Sequence, residues 1–305
     1  MINGVIVINK PQHMTSFDVV SRMRRILNQK KIGHTGTLDP MATGVLPICI
    51  GDATKIVDFL MDRTKTYVCE MKLGEATDTG DQWGTVVDTA SVPTLDLDIV
   101  RLAVAQFVGE IEQIPPMYSA IKINGRKLVD LARQGVEVER KPRKITIYSM
   151  DHLTFDRDKI GFTVKCSKGT YVRTLCEDIA KTLGTLGHMT ALTRTSSEPF
   201  TMDMAVSLEQ LEAEGAAAHL VSIETALVHF PIFAVELDEQ HRKMLDNGVK
   251  FDLKAFADPC FSVAEMGMNP SSVSESLYRL YVNQAFYGIC MDSAGKRILK
   301  KRFDD

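Results

Sequence analysis

The chain has 305 residues, 45% hydrophobic and 25% charged, which is the balance of an ordinary globular protein with room for one large domain and a small one. No apolar run reaches the roughly 20 residues that cross a bilayer, and the amino terminus lacks the basic lead of a secretory signal, so a cytoplasmic protein is expected. The net charge of −3 argues against a polyanionic partner only until its distribution is read: residues 1–72 carry 10 Lys/Arg against 6 Asp/Glu, 109–175 carry 13 against 8, and 176–240 carry 2 against 11. Residues 4–9 read as a buried strand, broken by Lys10 and Pro11. Thr15 and Ser16 can cap a helix with Phe17, Val20, Met23 and Leu27 at helical spacing. A Gly-rich loop follows, then a strand at 45–50 and a helical stretch at 52–62. Residues 66–73 alternate at period two, a half-buried strand. Residues 77–81 form a turn and 84–88 a short strand. A helix is predicted over 98–108, with Ile99, Leu102 and Val108 on one side.

Residues 114–127 begin as an extended segment around Pro115 and Pro116 and end in a basic turn. A helix over 128–133 follows, then strands at 144–155 and 160–166. The segment from Ser167 to Arg173 runs into a helix that ends near Leu183, and 186–193 returns as a strand. Beyond Pro231 the chain changes to short strands with one helix near 238–246. There is no regular βαβ rhythm, so the fold class is α+β.

Two features bear on chemistry. The loop 31–51 gathers Gly33, Gly36, Gly44 and Gly51 around one carboxylate, Asp39, and one imidazole, His34. Glycines open backbone angles closed to other residues, and Pro40 biases Asp39 away from helix. The arrangement displays one acid on a shaped loop beside Lys30 and Lys31. An Asp before Pro is commonly a turn residue bonding its own backbone. Six cysteines (Cys49, Cys69, Cys166, Cys176, Cys260 and Cys290) show no C-x-x-C pair, which argues for free thiols in a reducing compartment. No second His or Cys stands at ligand spacing from His34, so no metal is expected. Neither a P-loop nor a dinucleotide fingerprint is present, so no nucleotide cofactor is expected.

The pattern G-H-T-G-x-L-D-P-x-A-x-G-x-L in this loop resembles the catalytic loop of the TruB family, bacterial pseudouridine synthases that act on uridine 55 in the T-loop of tRNA. The resemblance implies that Asp39 is the catalytic aspartate, required to cut the N-glycosidic bond and rejoin the base through carbon 5. It does so by attacking ring or sugar or by stabilising charge as the bond breaks. Arg173 resembles the arginine that pairs with this aspartate. Without such a partner, a cation at a helix start is poorly placed. Tyr67 resembles the tyrosine that stacks on the target uracil. Tyr171 resembles a further active-site tyrosine, and Leu192 a leucine set against the flipped base. Asp81 matches an acidic residue of the active-site region. His34 is implied to hold the T-loop with its base flipped out, and Lys10 to contact substrate within the opening Lys10-Pro11…Thr15-Ser16. Lys122, Arg126 and Lys127 resemble a mobile RNA-clamping insertion at about 114–140.

The resemblance covers residues 1 to about 230. One departure is His13, where the family usually has Gly, which questions the local turn. Residues 231–305 resemble a small PUA-like β-barrel. The implied fold is therefore a pseudouridine-synthase domain over 1–230, with a mixed, largely antiparallel sheet flanked by helices, followed by the barrel. The implied activity is that of a stand-alone isomerase that needs no cofactor: tRNA is the partner, with no membrane, no guide RNA and a monomeric state. A non-catalytic RNA-binding or tRNA-folding protein is the alternative. A subunit of a guide-RNA particle is disfavoured because no long basic tail extends past Phe303.

Overall fold

Strand β1 (Gly4–Lys10) opens the chain, and Thr15 caps helix α1 (Ser16–Ile26) in a reciprocal capping box with Asp18. The computed structural model describes residues 1–123, 125–258 and 277–303. The buried face of α1 is Ser16, Val19, Val20 and Met23. Phe17, expected in that stripe, is exposed, with Arg24 over its ring. Next come β2 (Ile32–His34), β3 (Thr43–Ile50), a 3-10 turn at Gly51–Ile56, α2 (Val57–Met61) and β4 (Lys65–Leu73). β5 (Glu75–Thr77) and β6 (Val86–Thr89) form a separate hairpin.

Helix α3 (Leu97–Ala105) buries Val100, Ala103 and Val104, not the expected Ile99, Leu102 and Val108. It stops at Ala105, so Val108 never joins its face, and its contacts with neighbouring elements select the i, i+3, i+4 stripe on the other side. β7 (Gly109–Gln113) leads to a two-stranded ribbon, β8 (Lys122–Ile123) and β9 (Arg126–Lys127), and then α4 (Leu128–Ala132). β10 (Arg143–Asp156), β11 (Lys159–Cys166), α5 (Val172–Thr182), β12 (Gly187–Ser197) and β13 (Phe200–Thr201) follow.

The central sheet runs β1-β3-β12-β4-β11-β10-β7, with β2 on β3 and β13 on β12. Every pair is antiparallel except β12 on β3, which meet in parallel at Thr193–Thr43 and Arg194–Gly44. That junction brings the end of the Asp39 loop beside Leu192 and Arg194. Gly44 is needed there: its φ is +102°, and a Cβ would lie 2.2 Å from the Arg194 carbonyl oxygen. The main core, including Ile6, Leu46, Ile48, Met71, Phe162, Val164, Leu175 and Ile179, fills the space between the sheet and its helices.

After α6 (Leu208–Glu214) and α7 (Ile223–Ala226), the chain forms β14 (Ile232–Val235), α8 (Glu239–Asp246), β15 (Leu277–Val282), β16 (Ala285–Ser293) and β17 (Lys296–Arg302). These strands make an open four-stranded sheet in that order. The expected barrel is not closed among the described residues, since β14 and β17 are its two edges. Its apolar groups are covered without closure. Leu280, Val282 and Tyr287 share a core with Leu245 of α8, and Ile289 and Phe303 share one with Val5, Val7 and Phe230. The five described cysteines are free and buried, while Cys260 lies outside the described residues. No helix of the described residues is long and apolar enough to cross a membrane.

Candidate active site

The Asp39 loop is pinned on all sides. The Leu38 N–H donates to Ser16 Oγ (2.9 Å), whose hydroxyl donates back to the Leu38 carbonyl (3.3 Å). The Ala42 N–H closes a turn on the Asp39 carbonyl (3.0 Å), and the His13 N–H holds the Pro40 carbonyl (2.9 Å). His13 takes the turn at φ +67°, the region a glycine would adopt freely, and its ring stacks on Trp83 at 4.7 Å. The departure at His13 is thus accommodated without loss of the turn. Lys10 lies beneath the loop, fully buried, with Nζ donating to the carbonyls of Pro11 (2.8 Å), Met14 (2.7 Å) and Pro40 (3.4 Å). Burial lowers its pKa to about 8, against the pull of Asp39.

Arg173 reaches the loop from the first turn of α5. Its Nε donates to Asp39 Oδ2 at 2.9 Å, Nη1 to the Thr79 carbonyl at 2.8 Å and Nη2 to the Tyr118 carbonyl at 2.8 Å. The guanidinium is buried, with 6% of the side chain exposed, while Asp39 keeps 35% and opens to a cavity. The helix N-terminus that repels a cation is offset here by a carboxylate and two carbonyls. Burial pushes the Asp39 carboxyl up, Arg173 pulls it down, and the nearby Asp81 charge raises it, with the net direction upward. Tyr171, the N-cap of α5, has no side-chain cap of its own. The Gln113 amide clasps both its backbone groups, accepting from the Tyr171 N–H (2.8 Å) and donating to its carbonyl (3.1 Å).

The cavity is about 600 Å³ and is lined by Asp39, Tyr67, Tyr171, Arg173 and Leu192, together with Lys65, Tyr118, Arg143, Lys168 and Arg194. All three expected catalytic side chains and two of the expected substrate contacts therefore meet in one place. The other three do not line it. Lys10 buttresses the loop. His34 accepts the Gly36 N–H at Nδ1 (3.3 Å), and burial with the Arg194 charge lowers its pKa, so it is neutral at pH 7. Asp81 is buried and accepts from the Thr79 hydroxyl (2.9 Å) and the Trp83 N–H (3.0 Å). Lys122, Arg126 and Lys127 line a separate open crevice with Arg133 and Asp130. Elsewhere, Arg22 is engaged by Glu209 and Glu212, and Lys31 by Asp52.

Three residues escaped sequence reading: Lys65, Gln113 and Arg194. Lys65 stands two residues before Tyr67, the same-face spacing of a strand. It is buried with a pKa lowered to about 8, chiefly by desolvation. Arg194 stands two residues after Leu192 by the same rule. Gln113 left no local signal. Among the described residues, no group of three or more His, Cys, Asp and Glu could hold a metal ion.

The family model described as TruB family pseudouridylate synthase (N terminal domain) matches residues 24–172, and that of the tRNA pseudouridylate synthase B C-terminal domain matches 173–229. The chain is 44% identical to the tRNA pseudouridine synthase B of Clostridium kluyveri, over 95% of this chain and 96% of that one. It is 49% identical to the Clostridium acetobutylicum protein of that name over 82% and 85%, and 42% identical to the Francisella philomiragia one over 99% and 95%. Among solved structures it shares its fold with a chain of a Cbf5-Nop10-Gar1 complex, at TM-score 0.71 and 24% identity, covering 98% of this chain and 84% of the other. The chain belongs to the TruB family of pseudouridylate synthases.

Proposed function

We propose that this enzyme converts uridine 55 in the T-loop of tRNA to pseudouridine, with Asp39 as the catalytic carboxylate. The observation that carries the reading is the Asp39–Arg173 ion pair at the wall of a cavity that also presents Tyr67 and Leu192. A volume of about 600 Å³ lies within the ~300–1,000 Å³ of small-ligand pockets. It suits one extruded nucleotide and excludes a stacked helix. The tRNA substrate follows the names of the relatives above.

The reaction is an isomerisation. The N1–C1′ bond breaks, the uracil turns, a C5–C1′ bond forms, the C5 hydrogen leaves as a proton, and N1 takes one up. Atoms and electrons balance without an oxidant or a cofactor. Arg173 favours ionised Asp39 inside a partly apolar wall, where desolvation alone would neutralise it. Tyr67 offers its ring to a base that has lost its stacking, with Leu192 and Tyr171 as the other walls. The Asp81 charge acts on Asp39, Lys10 holds the loop, and His34 holds the opened T-loop. Lys122, Arg126 and Lys127, within the clamping insertion at about 114–140, take phosphates. The enzyme works in the cytoplasm as a monomer without a guide RNA. The catalytic domain spans residues 1–230, and residues 231–305 add an RNA-binding unit. Incubating the protein with unmodified tRNA transcript and mapping pseudouridine tests the reading. Pseudouridine absent from the T-loop, or present only elsewhere, refutes it. A protein that only folded tRNA would have no use for a carboxylate held by a buried arginine.

A further inference from the structure

We propose that Arg194 is a positioning residue for the isomerisation: it turns the Tyr67 hydroxyl proton into the cavity, toward the reacting base. The inference rests on the reading that Tyr67 meets that base.

Arg194 is among the largest fully buried side chains of the molecule, with 1% exposure. Among the described residues it has no carboxylate within ion-pair distance. A guanidinium stays charged in any protein environment, and a buried charge without a counter-ion is expensive unless its donors are satisfied. Two of its nitrogens are engaged by the Asp39 loop. Nε donates to the Val45 carbonyl at 2.7 Å and Nη2 to the Gly36 carbonyl at 3.2 Å. These two carbonyls stand on either side of Asp39 in the chain, so the guanidinium plane is fixed by the same loop that carries the acid.

Arg194 is also the direct cross-strand partner of Tyr67 in the β12–β4 register, and both side chains line the cavity. Opposed residues of an antiparallel pair point to one face of the sheet, with Cβ atoms about 4.5–5.5 Å apart. Among the described residues Nη1 of the guanidinium donates to neither loop carbonyl, which leaves it available to the Tyr67 hydroxyl across the strand pair. Arginine has donors and no acceptor. In this contact the phenol oxygen must therefore accept, and its own proton must point elsewhere. The side open to it is the cavity. The phenol is thereby presented as a donor to the uracil, and any negative charge that grows on its oxygen when it gives up that proton is met by a fixed cation. A lysine cannot reproduce this, because one ammonium cannot span both carbonyls and the phenol in a planar fork.

The test is a double-mutant cycle on single-turnover pseudouridine formation in full-length tRNA, with tRNA affinity and thermal melting measured alongside. Arg194→Lys and Arg194→Met are each made alone and with Tyr67→Phe. The expected result is a fall of at least about 30-fold for Arg194→Lys with affinity within threefold. The fall should shrink to less than a third of that factor on the Tyr67→Phe background, where no hydroxyl remains to orient. If Arg194 serves only the loop, the penalty is the same on both backgrounds, and the proposal is overturned. Arg194→Lys within threefold of the parent overturns it as well. Tyr67→Phe as fast as the parent would overturn the role of the hydroxyl and this inference with it, while leaving Asp39 and the tRNA reaction standing. Arg194→Met separates charge from fold: if it melts like Arg194→Lys but is slower, the cation contributes beyond packing, and equal rates for the two count against the proposal.

Discussion

Replacing Arg173 by lysine keeps one positive charge and removes the fork that places it. Arg173 makes three contacts at once, to Asp39 (2.9 Å), the Thr79 carbonyl (2.8 Å) and the Tyr118 carbonyl (2.8 Å). The shorter, single-headed ammonium can hold one or two of these. Hydrogen bonds to a charged group contribute about 1.5–3 kcal/mol each, so losing the two carbonyl contacts puts roughly 3–6 kcal/mol at stake. Relaxation and water recover part of that. A residual misplacement of Asp39 worth about 2.7 kcal/mol corresponds to a ~100-fold slower step, at 1.36 kcal/mol per decade. Binding should hardly change, since RNA affinity comes from many phosphate contacts and Arg173 is buried behind the carboxylate. The assay is single-turnover release of the C5 hydrogen from tRNA labelled at that position, with affinity measured in parallel. The expected outcome is ~100-fold slower chemistry with a Kd within threefold. A rate within threefold of the parent would show that the fork is not what places Asp39. A Kd that weakens in proportion to the rate would show that Arg173 binds RNA instead.

Other outcomes follow from the same geometry. Tyr67→Leu removes the ring and should abolish turnover on folded tRNA, while Tyr67→Phe keeps stacking and should slow single-turnover chemistry without loosening binding; near-parental turnover by Tyr67→Leu would take Tyr67 out of the site. Neutralising Lys122, Arg126 and Lys127 together should weaken binding and lower the salt slope by up to about one per cation; an unchanged affinity and slope would mark a solvated surface. The Asp39 carboxyl is pushed above the 3.8 of a free aspartate, first by burial, so single-turnover rates should fall as pH drops through a value above 3.8, with the protonated form inactive. A limb at or below 3.8 on an intact tRNA fold would contradict that sign.

The Asp39 loop was legible because its parts are local: glycines, one acid, one proline and a following apolar strand have few joint uses. The Asp39–Arg173 pair was legible chiefly through the family resemblance: a cation at a helix start asks for an anionic partner, but nothing near Arg173 in the chain says that the fold brings it from the β2–β3 loop. Arg194 was passed over because its partners are the carbonyls of Gly36 and Val45, and backbone acceptors leave no mark in composition. The faces of α1 and α3 were misassigned in part for another reason. Large apolar residues such as Phe17 and Leu102 draw the stripe, but burial follows what the helix packs on, and smaller residues at Val19, Val100 and Ala103 take the contact. Closure of the C-terminal sheet depends on pairing between distant edges, which has no local code. Among the described residues the faces of the open sheet are covered by α8 and by Phe230 instead.

The most direct measurement is pseudouridine at the T-loop uridine formed by Asp39→Asn, set against its affinity for the same tRNA. The substitution keeps the size of the side chain and a hydrogen bond to Arg173 but removes the charge. The account predicts no detectable pseudouridine after long incubation with excess enzyme, and a Kd within about tenfold of the parent. Repeated turnover by Asp39→Asn, with deamidation excluded by mass measurement, would show that the carboxylate held by Arg173 is not the catalytic group.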